Sequence, residues 1–252
     1  MRDYEVLAHN LINNSVKLKA NEKVLIEYSD VDDDFLIALQ NEAFKVKGMP
    51  FFKNINRELR RVTLERGDDK LFELMASFDE KLYSTMDAII LVRGEHNMFD
   101  YAYVPPKNLK SFDAFYNNKI HMQIRLKKRW VLLKYPTASF AQSSAMPTRD
   151  FREYFYKICN LDYGKLCKAM DGLKALMEKT DKVKIEGPNT NLTFSIKGMP
   201  AIKCCGECNI PDGEIYTAPI KNSINGKISF NIPAMYNGIK HENIVLEFKD
   251  GK

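Results

Sequence analysis

Glu214 stands in the stretch NIPDGEIYTAP, residues 209–219, where a turn rich in Pro and Gly gives way to alternating apolar residues. Pro211, Asp212 and Gly213 make a tight turn and so fix where the carboxylate emerges. A backbone pinned in this way suits a metal-ligating or catalytic carboxylate, because it narrows the positions the side chain can sample. It equally suits a plain hairpin carrying a solvated acid, and the residues alone favour the hairpin.

The cysteines offer a second chemistry. CCGEC, residues 204–208, contains one C-x-x-C, formed by Cys205 and Cys208. A structural zinc needs four ligands. Cys204 is a poor addition because it adjoins Cys205, and Cys159 and Cys167 fall on expected helices. A redox C-x-x-C opens a helix whose dipole lowers the thiol pKa, whereas this one enters a β turn. With no export signal at the N-terminus, all five Cys read as free thiols of a reducing cytoplasm. Metal or redox use of Cys205 and Cys208 stays open as an alternative.

The four His, at positions 9, 96, 121 and 241, are not spaced as a metal pair, and no H-E-x-x-H occurs. His9 reads as a surface or boundary residue of an amphipathic helix. His96 follows an apolar strand, where ligands of α/β sheets collect, but nothing beside it completes a site. His241 reads as a turn or strand-edge residue. RLKKRWVLLK, residues 125–134, is basic and carries the only Trp, Trp130. Basic residues with an interleaved aromatic suit nucleic acid. The net charge is only +5, however, and the cluster runs straight into an apolar strand. It reads instead as a solvated approach to the core, with no nucleic-acid partner. There is no Gly-rich phosphate loop and no G-x-S-x-G elbow.

These residues must be positioned by the elements around them. At 252 residues and 45% hydrophobic, the chain is long enough for one large or two modest cores. No run reaches the apolar length needed to span a bilayer. Residues 1–20 carry apolar positions at helical spacing. EKVLIEYS, MPFFKNINR, DAIILVRGEH and RWVLLKYPT read as strands. DVDDDFLIALQNEAFKVKG reads as a helix with acids at its start and Gly48 after its end. DDKLFELMASFDEKLYSTM and the long stretch from Met146 to Thr180 are helical as well. Strands alternating with helices imply an α/β layer with a largely parallel sheet and covering helices. From Asp181 the pattern changes to short alternating segments separated by Gly, Pro and Asn. The expected organisation is an N-terminal α/β domain over residues 1–180, then a β-rich and incomplete second domain over residues 181–252.

NIPDGEIYTAP closely resembles a signature of the aminopeptidase S/aminopeptidase T family of two-metal exopeptidases, the thermophilic metalloproteases. Other segments agree in order. WVLLKYPTASFAQSSAMPTRDFREYFYKICNLDY resembles the family's Trp-x-x-x-x-Tyr-Pro-Thr stretch with its following helix. DKVKIEGPNTNLTFSIKG resembles its V-x-I-x-G strand pair, and NSINGKISFNIPAMYNGIKHENIVLEFKDGK resembles the strands after the signature. The similarity spans the chain, most strongly from Trp130 onward. It implies an N-terminal α/β domain, a C-terminal catalytic domain and a homodimer. It further implies two divalent ions, zinc or cobalt, that polarise the scissile carbonyl and activate water. Peptides with a free N-terminus would be the substrates. The signature's Glu, the first metal ligand in chain order, maps onto Glu214.

The family's other ligands, a second Glu, two His and an Asp, and its catalytic Tyr have no matching segment here. Asn191 replaces the usual Asp of T-D-L, and Cys208 stands where a basic or neutral residue is usual. The expectation is therefore a cytoplasmic metal-dependent aminopeptidase in N-terminal portion, inactive alone, whose other ligands lie on a missing C-terminal piece, either a separate chain or lost sequence. Two alternatives stand beside it. One is a non-catalytic dimerisation or interaction module derived from that family. The other is a thiol-metal or redox protein using Cys205 and Cys208. An exposed apolar patch within residues 181–252 would speak for missing polypeptide, and a polar, closed surface for a self-sufficient module.

Overall fold

The computed structural model describes residues 2–236 and 239–252. Asn237 and Gly238, inside the last family-like segment, lie outside the described residues. The chain divides into two compact units: Met1–Leu161 with Gly206–Asp212, and Asp162–Cys205 with Gly213–Lys252. The composition change at Thr180 thus falls inside the second unit.

In the first unit, helix α1 (Asp3–Asn10) runs on into a π-helical turn and leads to strand β1 (Lys23–Ser29). Then come α2 (Asp33–Lys45), β2 (Met49–Asn54), α3 (Arg57–Arg66), α4 (Asp69–Thr85) and β3 (Ala88–Arg93). Helix α5 (Pro106–Phe112) continues as a π-helix, Asp113–Ile124, before β4 (Arg129–Lys134), α6 (Ala138–Ser143) and α7 (Thr148–Cys159). Local chemistry sets several boundaries. Asn56 and Asp68 cap α3 and α4 by accepting from Leu59 N and Leu71 N, each at 2.9 Å. At the end of α2 the left-handed residue is Lys47, at φ 59°, rather than Gly48. Gly48 is required for space, since a Cβ there would meet the Leu18 side chain and the Ala43 carbonyl.

The strands form a five-stranded parallel sheet in the order β2-β1-β3-β4 and then a short strand, Asn209–Ile210. This is the doubly wound order, with the reversal between β1 and β3. Both faces of β1 and β3 are buried, as continuous apolar strands require, while the edge strand β2 leaves Phe51 and Phe52 exposed. Leu25, Ile89 and Leu91 pack with Phe72, Ala76 and Tyr83 of α4, Phe112 of α5, and Tyr116 and Ile120 of the π-helix. On the opposite face Val24, Ile26, Ile90, Val131 and Leu133 are buried, as are Leu7 of α1 and Phe35 and Leu39 of α2.

The second unit begins with α8 (Tyr163–Ala169) and α9 (Asp171–Lys179). Strands β5 (Lys182–Gly187), β6 (Thr190–Ser195) and β7 (Ile202–Lys203) follow. The Asn209–Ile210 strand of the first unit is β8. The second unit resumes with β9 (Ile215–Tyr216), β10 (Asn225–Phe230), β11 (Ala234–Tyr236), β12 (Ile239–His241) and β13 (Ile244–Phe248). β13, β10, β6 and β5 form an antiparallel sheet in that order. Register puts Ile185 opposite Leu192, Val183 opposite Phe194, Ile228 opposite Leu246 and Phe230 opposite Ile244. Period-two alternation then gathers these residues on one apolar face, with Lys184, Glu186, Thr193, Lys227 and Glu247 on the other. That apolar face is poorly covered: Ile185, Phe230 and Leu246 keep 39%, 43% and 44% of their surface.

The expected fold class holds: a parallel sheet flanked by helices, followed by antiparallel β structure. Two features differ from the sequence reading. Between β3 and β4, α5 (Pro106–Phe112) and a π-helix (Asp113–Ile124) form where no helix was read from the sequence. The first two residues of the signature stretch are a sheet strand of the first unit rather than part of a turn.

Candidate functional site

The turn that presents Glu214 is built from its neighbours. The Ile210–Pro211 peptide is cis, and Gly213 sits at φ 134°, a backbone conformation open to glycine. Asp212 Oδ2 accepts from Gly206 N at 2.8 Å. Beyond the turn, β9 pairs antiparallel with β7, Ile215 opposite Lys203 and Tyr216 opposite Ile202. Cys204 N donates to the Glu214 carbonyl at 2.9 Å, which extends this two-stranded ladder by one bond. The Glu214 side chain is exposed, and the Cys204 thiol donates weakly to its Oε1 at 3.9 Å. Lys203 ties the same ladder to the helices, donating from Nζ to the Cys167 carbonyl at 3.0 Å and to Asp171 Oδ1 at 2.5 Å.

The expectation of five free thiols is corrected here. Cys167 of α8 is joined to Cys205, with their Cα atoms 5.3 Å apart. The partners are 38 positions apart in sequence, so only tertiary packing brings them together. Cys205 is therefore not the partner of Cys208, and the C-x-x-C does not act as a pair. Cys159, Cys204 and Cys208 are not disulfide-bonded. Burial pushes the Cys159 thiol well above its ordinary pKa, which makes it unreactive. Burial, then the acids Glu207 and Asp212, raise Cys208 as well.

Around Glu214 the described residues do not complete a metal centre. Among them no three His, Cys, Asp or Glu side chains converge. His9 pairs with Glu42 at 3.2 Å, and exposed His96 lies 3.7 Å from Asp30. His241 is exposed on β12. The residues present thus do not by themselves fit a two-metal site.

The basic cluster before β4 is used internally. Arg129 donates to the Val16 and Lys17 carbonyls at 3.0 and 2.7 Å and pairs with Glu22 at 2.7 Å. Lys128 donates to the Ser84 carbonyl at 2.8 Å.

A buried charge network escaped the sequence reading. Glu27, 2% exposed, occupies the middle of β1. Its cross-strand neighbours are Lys53 on β2 and Leu91 on β3. Arg93 and the Tyr83 hydroxyl donate to its carboxylate, and Lys53 Nζ lies 3.7 Å away. Lys53 also donates to Asp79 at 2.6 Å, and Tyr116 donates to the same carboxylate. Burial opposes the charged form of Glu27, but Arg93, Lys53 and the Tyr83 hydroxyl overcome it and hold the pKa at about 2. Burial depresses His121 nearby to about 4, so its ring is neutral at pH 7. The signal was present in outline: Glu27, Lys53 and Arg93 each interrupt an otherwise apolar strand. Their shared row depends on register, which local pattern does not supply.

The fold is similar to wild-type AmpT from Thermus thermophilus, with a TM-score of 0.78 and 17% identity, over 99% of this chain and 69% of that one. A 2,5-dihydroxypyridine dioxygenase from Pseudomonas putida aligns at a TM-score of 0.47 and 11% identity, over 90% of this chain and 58% of that one. No curated protein sequence matches. A family model described as thermophilic metalloprotease (M29) matches residues 2–252. The parallel sheet, the β-rich second unit and this match along the chain lead to one conclusion: the protein belongs to the thermophilic metalloprotease family M29.

Proposed function

We propose that the chain is a portion of a metal-dependent aminopeptidase, which hydrolyses N-terminal residues from peptides with a free amino terminus. In this reading Glu214 is one ligand of a site for two divalent ions, zinc or cobalt. The other ligands come from polypeptide that also covers the apolar face of the second unit. Residues 1–180 act as the α/β domain and residues 181–252 as the beginning of the catalytic domain. Action in the cytoplasm and as a homodimer belongs to the same proposal.

The observation that carries it is the apolar face of the β13-β10-β6-β5 sheet. Aliphatic and aromatic residues left this open are normally core residues of a larger assembly. A self-contained module that works as a monomer would close that face with polar residues. The well-set but solvated position of Glu214, with no converging ligands among the described residues, fits a ligand supplied to a site completed by other chain. By itself the chain is then inactive.

The test is hydrolysis of leucine p-nitroanilide by the 252-residue chain with added cobalt or zinc, alongside equilibrium dialysis of the metal. No turnover alone, and turnover on adding the downstream half of a related enzyme, supports the reading. Glu214→Gln must abolish that restored turnover. Chelator-sensitive turnover by the chain alone would overturn the incomplete-site reading. Restored turnover that survives Glu214→Gln would remove this residue from the ligand set.

A further inference from the structure

The π-helix of the first unit lines a pocket of about 450 Å³, a size that suits a small-molecule ligand. Asp113, Asn117 and His121, spaced four apart on that helix, face it together with Arg125 just beyond the helix end. Leu91 and Leu132, opposite each other on β3 and β4, contribute its apolar lining. Both lie in the carboxyl-terminal halves of parallel strands, the end of such a sheet at which ligands bind.

The charges around the pocket are not all matched. Arg93 is taken by Glu27, and Lys53 is shared between Glu27 and Asp79. Arg125 differs: among the described residues no carboxylate lies within ion-pairing distance of it. Its guanidinium is stacked over Trp130, 4.3 Å from the ring centroid, and its Nε and Nη1 are shielded from solvent without an acceptor. Burial and the charge of Arg93 both lower its pKa, so the cation is held there at an energetic cost. Partly buried cations of this kind are ordinarily paired. Asp113, twelve positions earlier, accepts from Asn117 Nδ2 at 2.6 Å and sets the opposite polarity in the same pocket. A polyanion would be repelled there, whereas a single negative group directed at Arg125 is not. His121, being neutral at pH 7, offers hydrogen bonding rather than charge.

We propose that this pocket binds a small aliphatic monocarboxylate, with Arg125 taking the carboxylate and Leu91 and Leu132 the hydrocarbon. A carboxylate accepts from a guanidinium N–H in a charge-assisted bond that a neutral amide cannot match. Binding exchanges the unmatched cation for an ion pair, which is why the acid and not its amide is recognised. This site uses no residue of the Glu214 turn and does not depend on the peptidase reading.

Trp130, the single Trp, is the reporter, because any pull on Arg125 alters the stack above it. The full chain is titrated with 4-methylpentanoate, 4-methylpentanamide and inorganic phosphate, following Trp fluorescence and, independently of the stack, calorimetry. A saturable response to the acid, roughly tenfold or more tighter than to the amide, is expected from a charge-assisted hydrogen bond. Arg125→Gln removes that preference, Arg125→Lys keeps part of it through the remaining charge, and Lys127→Gln on the exposed neighbour retains it. Equal binding of acid and amide, an acid preference that survives Arg125→Gln, tighter binding of phosphate, or no saturable response would each overturn the proposal. Arg125→Gln removes an unmatched cation and is expected to fold, and Arg125→Lys supplies an independent test that keeps the charge.

Discussion

Replacing Glu27 by Gln removes the acid that pairs with Arg93 and that shares Lys53 with Asp79. Two routes give the size of the effect. Glu27 titrates near 2 in the fold against an ordinary 4.5, and that difference corresponds to roughly 3 kcal/mol of stability at neutral pH. Removing one partner of a buried ion pair costs about 3–5 kcal/mol, because the other charge is left uncompensated. Both routes predict a loss of roughly 3 kcal/mol. The sign with pH follows from the depressed value: the contribution is complete above the unfolded pKa and is lost as pH falls through the folded one. The gap between wild type and Glu27→Gln should therefore be full at pH 7, close to half near pH 3, and nearly gone at pH 2. Urea unfolding followed by Trp130 fluorescence reports on the unit that holds Glu27 and avoids averaging over both units. A difference below about 1 kcal/mol at pH 7 would refute the reasoning. So would one that does not shrink between pH 6 and pH 3, since either result would mean that the network does not depend on the ionised carboxylate.

His121, depressed to about 4 by burial, is neutral in the fold while the unfolded chain takes up a proton below pH 6.5. Stability should fall from pH 6.5 toward pH 4, and His121→Gln should flatten that part of the urea-midpoint profile. Tyr83→Phe, which removes the hydroxyl donor to Glu27, should cost about 1–3 kcal/mol in the same assay and move the acid transition upward. Gly94→Ala should destabilise by roughly 2–3 kcal/mol, because a Cβ there would collide with the Ser29 and Asp30 carbonyl oxygens; a neutral result would show that the β1–β3 ends can part. Thiol titration in denaturant should find three reactive cysteines before reduction and all five after it. Opening the loop of 38 positions closed by Cys167 and Cys205 should cost the second unit about 4 kcal/mol on the chain-entropy model, read from thermal melts with and without reductant.

What depends on neighbours along the chain was legible in the residues alone. Continuous apolar runs specify β1, β3 and β4, because strands covered on both faces leave no room for polar alternation. The acids at the start of α2 and the switch to period two after Asp181 likewise follow from local geometry. The long ungapped signature around Glu214 carried the family, which the match over residues 2–252 bears out. Tertiary structure decided the rest. The π-helix has the wrong period for a 3.6-residue template, so residues 97–128 showed no clear pattern and the pocket beside them could not be foreseen. Glu27, Lys53 and Arg93 become one network only when parallel register sets them in neighbouring positions. Cys167 and Cys205 meet because α8 packs beside the loop after β7, a contact that no spacing rule encodes. Asn209 and Ile210 are two residues in a turn-rich stretch, and they become a strand only because β4 offers them a free edge to pair with.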